Sequence, residues 1–88
     1  MKVIAVYDNG GKSLDRYTIV VNSIVSKNRN KYQYDAISAS ESGAGVFMWV
    51  QCERGKHLGK KIEFASLNKE LQKKVQLTII KNEYRNKI

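Results

Sequence analysis

The sequence predicts one domain of the α+β class: an antiparallel sheet of four or five strands with one C-terminal helix packed on a face. Two observations predict it. Short apolar runs separated by turn residues continue to about residue 64, and the apolar spacing becomes helical after Ser66. No repeat, low-complexity tract or linker divides residues 1–88, and a chain of 88 residues is long enough for one domain but not for two.

Three strands are predicted in the first half of the chain. Residues 2–7 are apolar apart from Lys2, which is typical of a strand covered on both faces, and a turn follows at residues 8–11. Residues 16–25 form the second strand, with Tyr17, Ile19 and Val21 on one face. In the third, residues 31–39, alternation predicts a wetter face that carries Gln33 and Asp35.

The second half predicts the remaining strands and the helix. After a turn at residues 42–45, residues 46–50 are apolar at every position, which predicts cover on both faces, and residues 62–64 form a short last strand. Ser66 is the predicted N-cap of a helix that runs to about Arg85. Four residues at helical spacing should face the sheet: Leu67, Leu71, Val75 and Ile79.

Positive charge is the strongest compositional feature. Sixteen Lys and Arg against eight Asp and Glu give a net charge of +8. Residues 1–44 hold six basic and four acidic residues, whereas residues 45–88 hold ten and four. Such a field attracts nucleic acid, acidic protein surfaces or anionic lipid, although a charge of this size also serves solubility alone.

The sequence places the protein in the cytoplasm. Cys52 is the one cysteine, so neither an internal disulfide nor a cysteine-based metal site can form. The apolar start is too short for the core of a signal peptide, and no stretch has the length of a membrane span. No metal, cofactor or membrane partner is predicted.

A phosphate-binding loop is excluded at residues 8–13, although Gly11-Lys12-Ser13 resembles part of one. The motif requires a glycine where Val6 stands, and a hairpin loop explains the segment better. Asp8, Asp15 and Arg16 at the two ends of this loop remain a candidate ligand pocket, with His57 as the one available histidine. They fill fewer roles than an active site demands, so catalysis is disfavoured.

The basic loop between the fourth strand and the helix is a candidate binding site. Its glycines permit close approach of a ligand, and its charged side chains suit phosphates. The candidates are Arg54, Lys56, His57, Lys60 and Lys61. Phe47 and Trp49 precede this loop and suit base stacking if exposed, but an all-apolar strand favours burial. A merely solvated loop is an equal alternative.

A second apolar group lies on the helix away from the predicted core stripe. Leu77, Ile80 and Tyr84 project from one side of a helix at 100° per residue. Three lysines border them: Lys69, Lys73 and Lys81. An apolar patch with a polar rim is typical of an interface, either with a partner or with a second copy in a homodimer. The alternative is a wide core face in a small domain.

Two segments carry a resemblance to a known family. VIAVYDNGGKSLDRYTIV near the start, and GKHLGKKIEFASL running into KELQKKV, resemble small proteins of unassigned activity encoded by bacteriophages, plasmids and bacterial genomes. Asn68 stands where that family usually opens its helix with proline, and the family's proline-containing turn is missing near residues 40–45. The resemblance implies a phage or mobile-element setting, in which small proteins frequently inhibit host machinery such as CRISPR and other defence systems.

Three hypotheses of function follow. The first is a non-enzymatic phage or mobile-element protein that binds and inhibits a host protein or protein–nucleic-acid complex, and its positive charge excludes a DNA mimic. The second is a nucleic-acid-binding accessory protein that uses Arg54, Lys56, Lys60 and Lys61 on phosphates. The third is a small hydrolase or nucleotide-binding protein centred on Asp8, Asp15, Arg16 and His57.

Overall fold

The computed structural model describes residues 2–22, 33–43, 45–53 and 55–86. Five strands form one antiparallel sheet in the order β4-β3-β2-β1-β5. The strands are β1 (Lys2–Asp8), β2 (Tyr17–Asn22), β3 (Gln33–Ala39), β4 (Val46–Glu53) and β5 (Lys60–Ile62). One helix follows, α1 (Lys69–Asn86). The predicted α+β class, with a C-terminal helix packed on one face of the sheet, is confirmed.

The main core lies between α1 and the sheet. Leu71, Val75 and Ile79 recur every four residues on the buried side of the helix, as the stripe predicts. From the sheet, Ile19 and Ile37 meet them, and both are fully buried. Because β1 and β2 place alternate side chains on opposite faces, Val6 joins this core, whereas Ala5 and Tyr7 are buried on the other side.

The prediction that one face of β3 is open to water is wrong. Asp35 and Ser38 are only 4% and 8% exposed, and Ala36 on the side away from α1 is fully buried. β3 is an interior strand, with β2 and β4 on its two sides. The alternation of polar residues had suggested instead a strand with one face open to water. Both polar side chains have bonding partners, so burial leaves neither of them unpaired.

The fourth strand is the edge of the sheet, and this corrects the prediction that residues 46–50 are covered on both faces. Phe47 is 49% exposed on the side opposite α1, where it pairs with Ser38 of β3. The side chain of Trp49 lies outside the described residues. An uninterrupted apolar run is typical of interior strands, but here it lies where only one neighbouring strand is present.

The helix begins two residues later than the predicted N-cap implies. Asn68 is the cap, because its Oδ1 accepts a hydrogen bond from the N–H of Leu71 at 2.8 Å. Ser66 instead ends a short 3-10 turn (Phe64–Ser66), and its hydroxyl donates to the carbonyl of Glu63 at 2.6 Å. The cap therefore lies two residues after the serine that the sequence favoured.

Candidate functional site

The β1–β2 loop is held by its own side chains. Asn9 closes it: the amide nitrogen donates to Ser13 Oγ at 2.9 Å and to the Asp15 carbonyl at 3.1 Å. Its Oδ1 accepts from the N–H groups of Gly11 and Lys12. Asp8 Oδ1 accepts from the Gly10 N–H at 2.8 Å. The backbone donors that a phosphate would need are therefore already bonded within the loop, as a hairpin loop requires.

Asp8 and Arg16, predicted as part of a ligand pocket, bind each other. Arg16 Nε lies 2.8 Å from Asp8 Oδ1 and its Nη2 lies 3.0 Å from Oδ2, which is a bidentate ion pair. The remaining side of the guanidinium pairs with Glu41 Oε1 at 3.1 Å and lies over the Tyr17 ring. Asp15 contributes its carbonyl oxygen to the loop. This arrangement ties β1, β2 and the β3–β4 turn together.

The ion pair changes the acidity of both groups. Hydrogen bonds from the Arg16 guanidinium hold the pKa of the Asp8 carboxyl below its ordinary value, and the Gly10 N–H and the charge of Lys60 act in the same direction. Asp8 and then Glu41 raise the pKa of Arg16 further above its ordinary range. Asp8 is thereby held as an anion, which suits an ion pair and not a general acid.

Neutralising Asp8 should remove part of the acid sensitivity of the fold. Because folding depresses the pKa of Asp8, its contribution to the free energy of unfolding is present above the unfolded pKa, near 4, and is lost as pH falls through the lower folded value. We expect Asp8→Asn to cost about 1 kcal/mol at neutral pH, since the pair is partly exposed, and to flatten the loss below about pH 4. Urea unfolding across this pH range measures both effects.

Asp15→Asn is the matched control, since it removes a carboxylate from the same loop and leaves the described ion pairs intact. It should unfold in acid as the wild type does. If the free energy of unfolding of Asp8→Asn fell in acid as that of the wild type does, the ion pair would not stabilise the fold.

The predicted basic loop is divided between two structures. Lys56 and His57 lie exposed on a 3-10 turn (Lys56–Leu58), whereas Lys60 and Lys61 belong to β5. Arg54 lies outside the described residues. Lys60 pairs with Asp8 and Lys61 with Tyr7, so their side chains leave opposite faces of the sheet. The structure therefore does not bring Lys60 and Lys61 together on one surface.

Gly59 fastens the basic loop to the β1–β2 loop. Its φ is +111°, in the region that favours glycine. A Cβ here would overlap the carbonyl of Asp8 and lie 2.7 Å from the Cα of Asn9. The β1–β2 loop and the basic loop thus meet in one substructure, with β5 paired to the end of β1. Close packing of backbone explains this glycine without a ligand.

A cleft of about 320 Å³ opens beside β1 and β5, lined by residues 3–6 and 61–64. Asp8, Asp15 and Arg16 do not line it, so it is not the pocket that the sequence predicts. Its charged lining consists of Lys61 and Glu63. His57 lies at the surface of the neighbouring 3-10 turn and does not line the cleft.

The exposed side of α1 carries part of the apolar group that the sequence predicts. Leu77 is 55% and Ile80 is 58% exposed, on the side of the helix opposite the buried stripe. The side chain of Tyr84 lies outside the described residues. Around them stand the exposed lysines Lys69, Lys73 and Lys81. We call Leu77, Ile80 and these three lysines the outer face of α1.

Within the described part of the chain, no ion pair joins a lysine of the outer face to a carboxylate. Lys74 differs, because its Nζ turns toward the β3–β4 turn and donates to the Gly43 carbonyl at 3.0 Å. The outer face therefore combines exposed aliphatic groups with three lysines, and the exposed Glu70 lies on the same side of the helix. This combination is typical of a surface that binds an acidic partner.

Comparisons with known proteins do not add to these observations: no protein-family model, curated protein or solved structure matches the chain. Over the described residues, no group of three or more His, Cys, Asp or Glu is placed to hold a metal ion. In the same part of the chain, no helix has both the length and the apolar character needed to cross a bilayer.

Proposed function

We propose that this protein is a non-enzymatic binding protein that inhibits a host target by covering a surface of another protein with the outer face of α1. The observation that carries the proposal is the exposure of Leu77 and Ile80 within a rim of lysines. Aliphatic side chains that remain largely exposed in their own domain mark interfaces when they are grouped and rimmed by polar residues.

The phage or mobile-element setting and the defence complex as target rest on the family resemblance of the N-terminal and Gly55–Leu67 segments. A host target places the protein in the cytoplasm of the host cell. Within such a complex, a basic inhibitor covers an acidic protein surface or displaces a bound nucleic acid. In either case the lysine rim should accelerate the encounter and make it sensitive to salt.

The arrangement of Asp8 and Arg16 supports a binding protein over the hydrolase hypothesis. Asp8 and Arg16 pair with each other, and Arg16 also pairs with Glu41, which ties the loop to the β3–β4 turn. Nucleic-acid binding remains the alternative proposal. It relies on Lys56, Lys60 and Lys61 as separate phosphate contacts, and replacing any one of these lysines should reduce the salt slope of log affinity by about 0.9 on duplex DNA.

The outer face of α1 should determine capture of the partner. We expect the protein, immobilised and exposed to host lysate, to retain one stoichiometric protein, and a variant with Leu77→Ser and Ile80→Ser to lose at least about tenfold in affinity for it. Both side chains are more than half exposed, so the fold should be retained. Surface plasmon resonance with the purified partner measures the change.

Leu14→Ser is the matched control, because Leu14 is 92% exposed at the β1–β2 loop, away from α1. It should bind as the wild type does. Equal losses of affinity in the two variants would show that exposed aliphatic groups bind other proteins non-specifically. Absence of any stoichiometric protein partner would overturn the proposal, and titration of labelled DNA and RNA at several salt concentrations would then test the alternative.

A further inference from the structure

The two edges of the sheet are protected to very different degrees. Edge strands expose a row of unpaired N–H and C=O groups, and proteins protect such edges with short strands, lysines or prolines. β5 has three residues, of which two are lysines. β4 has eight residues and contains neither lysine, arginine nor proline. One edge is therefore blocked against further pairing and the other is not.

The open edge is regular where it is most apolar. Val46, Phe47 and Met48 pair in register with Ala39, Ser38 and Ile37 of β3. The register shifts only beyond this stretch, between Tyr34 and Ala36 of β3. No strand of the described residues pairs with the other side of β4. Among the described residues, the outer side of this regular stretch is thus open to a further strand.

The distribution of charge decides which surface of the chain a second copy can approach. With a net charge of +8, two copies of the chain repel each other over most approaches. The outer face of α1 would bring Lys69, Lys73 and Lys81 of both copies together. β4 carries none of the 16 Lys and Arg residues, so pairing there brings no lysine or arginine of the two strands into contact.

The side chains of β4 also suit self-pairing. Phe47 is 49% exposed on the side away from α1, and Met48 and Val46 are partly buried on the side of α1. A strand added at this edge would lie beside both sets and extend both apolar layers of the sheet.

We propose that a second copy of the chain pairs antiparallel with β4 and joins the two sheets into one of ten strands. An antiparallel pair of identical edge strands is an isologous contact with a two-fold axis through the sheet, so both α1 helices lie on the same side. α1 packs over β3 and β4, which brings the two helices near the axis. The dimer then presents two outer faces side by side, whereas the proposed function requires only one.

Sedimentation equilibrium at physiological salt tests the proposal. The wild-type protein should approach the mass of two chains as its concentration rises through the micromolar range. Phe47→Lys places a charge at the joint and should give the mass of one chain. Leu77→Lys, the same type of change on the outer face of α1, should leave the dimer intact. Thermal melts of each variant are the check that it is folded.

Hydrogen exchange of the wild type supplies a second readout that needs no variant. Amides of β4 that point away from β3 should exchange more slowly at high protein concentration than at low concentration, and those of β5 should not change. A wild-type protein that stays monomeric overturns the proposal. So does a dimer that survives Phe47→Lys, or one that Leu77→Lys dissociates while Phe47→Lys does not.

Discussion

Replacing Gly59 with alanine should lower the free energy of unfolding by about 3 kcal/mol. Two costs combine. The backbone at φ +111° is unfavourable for a residue with a Cβ, and that Cβ would overlap the Asp8 carbonyl, which is main chain and cannot turn aside as a flexible side chain can. To relieve the overlap, β5 must move away from the end of β1. Such a loss is a large fraction of the stability of a small domain, and urea unfolding measures it.

Gly11→Ala separates the two costs. Gly11 has a similar positive φ of +89°, but a Cβ there would meet nothing within 4 Å. It should therefore cost only about 1 kcal/mol, which is the effect of the backbone conformation alone. If the two variants were equally stable, close approach of β5 to the Asp8–Asn9 backbone would not be what requires glycine at position 59.

Replacing Leu71 with alanine should cost about 3 kcal/mol and leave the fold recognisable by circular dichroism. Leu71 is 1% exposed and lies in the core between α1 and the sheet. Truncation removes buried apolar groups and opens a cavity that β2 and β3, paired on both sides, cannot collapse to fill.

Leu77→Ala makes the same chemical change on the outer face of the same helix. Its side chain is 55% exposed, so the free energy of unfolding should change by less than about 0.5 kcal/mol. The pair of measurements fixes which side of α1 is structural. A large loss in Leu77→Ala would place that residue in the core and remove it from the proposed interface.

Sequence patterns predicted the elements of the fold because the patterns are local. Tyr17, Ile19 and Val21 alternate in β2, and all three join the core under α1. Leu71, Val75 and Ile79 repeat at the helical period and are buried. Periodicity of this kind reports which side of an element faces the core, whatever its neighbours are.

Sequence patterns failed where neighbours decide the outcome. Phe47 lies at an edge and Asp35 in the interior, and only the order of the strands distinguishes them. Asn68 caps α1 in preference to Ser66 because Ser66 itself ends a 3-10 turn and Leu67 enters the core before the helix begins.

The candidate site was predicted unevenly for the same reason. Helical geometry placed Leu77 and Ile80 on one side of the helix, away from the core stripe, but a wide core face was an alternative until the structure showed both side chains exposed. The bond between Asp8 and Arg16 joins residues at the two ends of a loop, and the separation of Lys60 from Lys61 depends on β5 pairing with β1. Charged residues close together in sequence had suggested one basic surface, but strand alternation separates them.

Site-specific photo-crosslinking in host cells tests most directly whether the outer face of α1 is the binding surface. A photoreactive amino acid at position 77 or 80 should join the protein to one predominant host protein, and the same group at position 14 should not. Leu14 is more exposed than Leu77 or Ile80, at 92% against 55% and 58%, so solvent exposure alone would favour crosslinks at position 14. Crosslinks that form equally at position 14, or none at positions 77 and 80 in cells where the protein is active, would contradict the account.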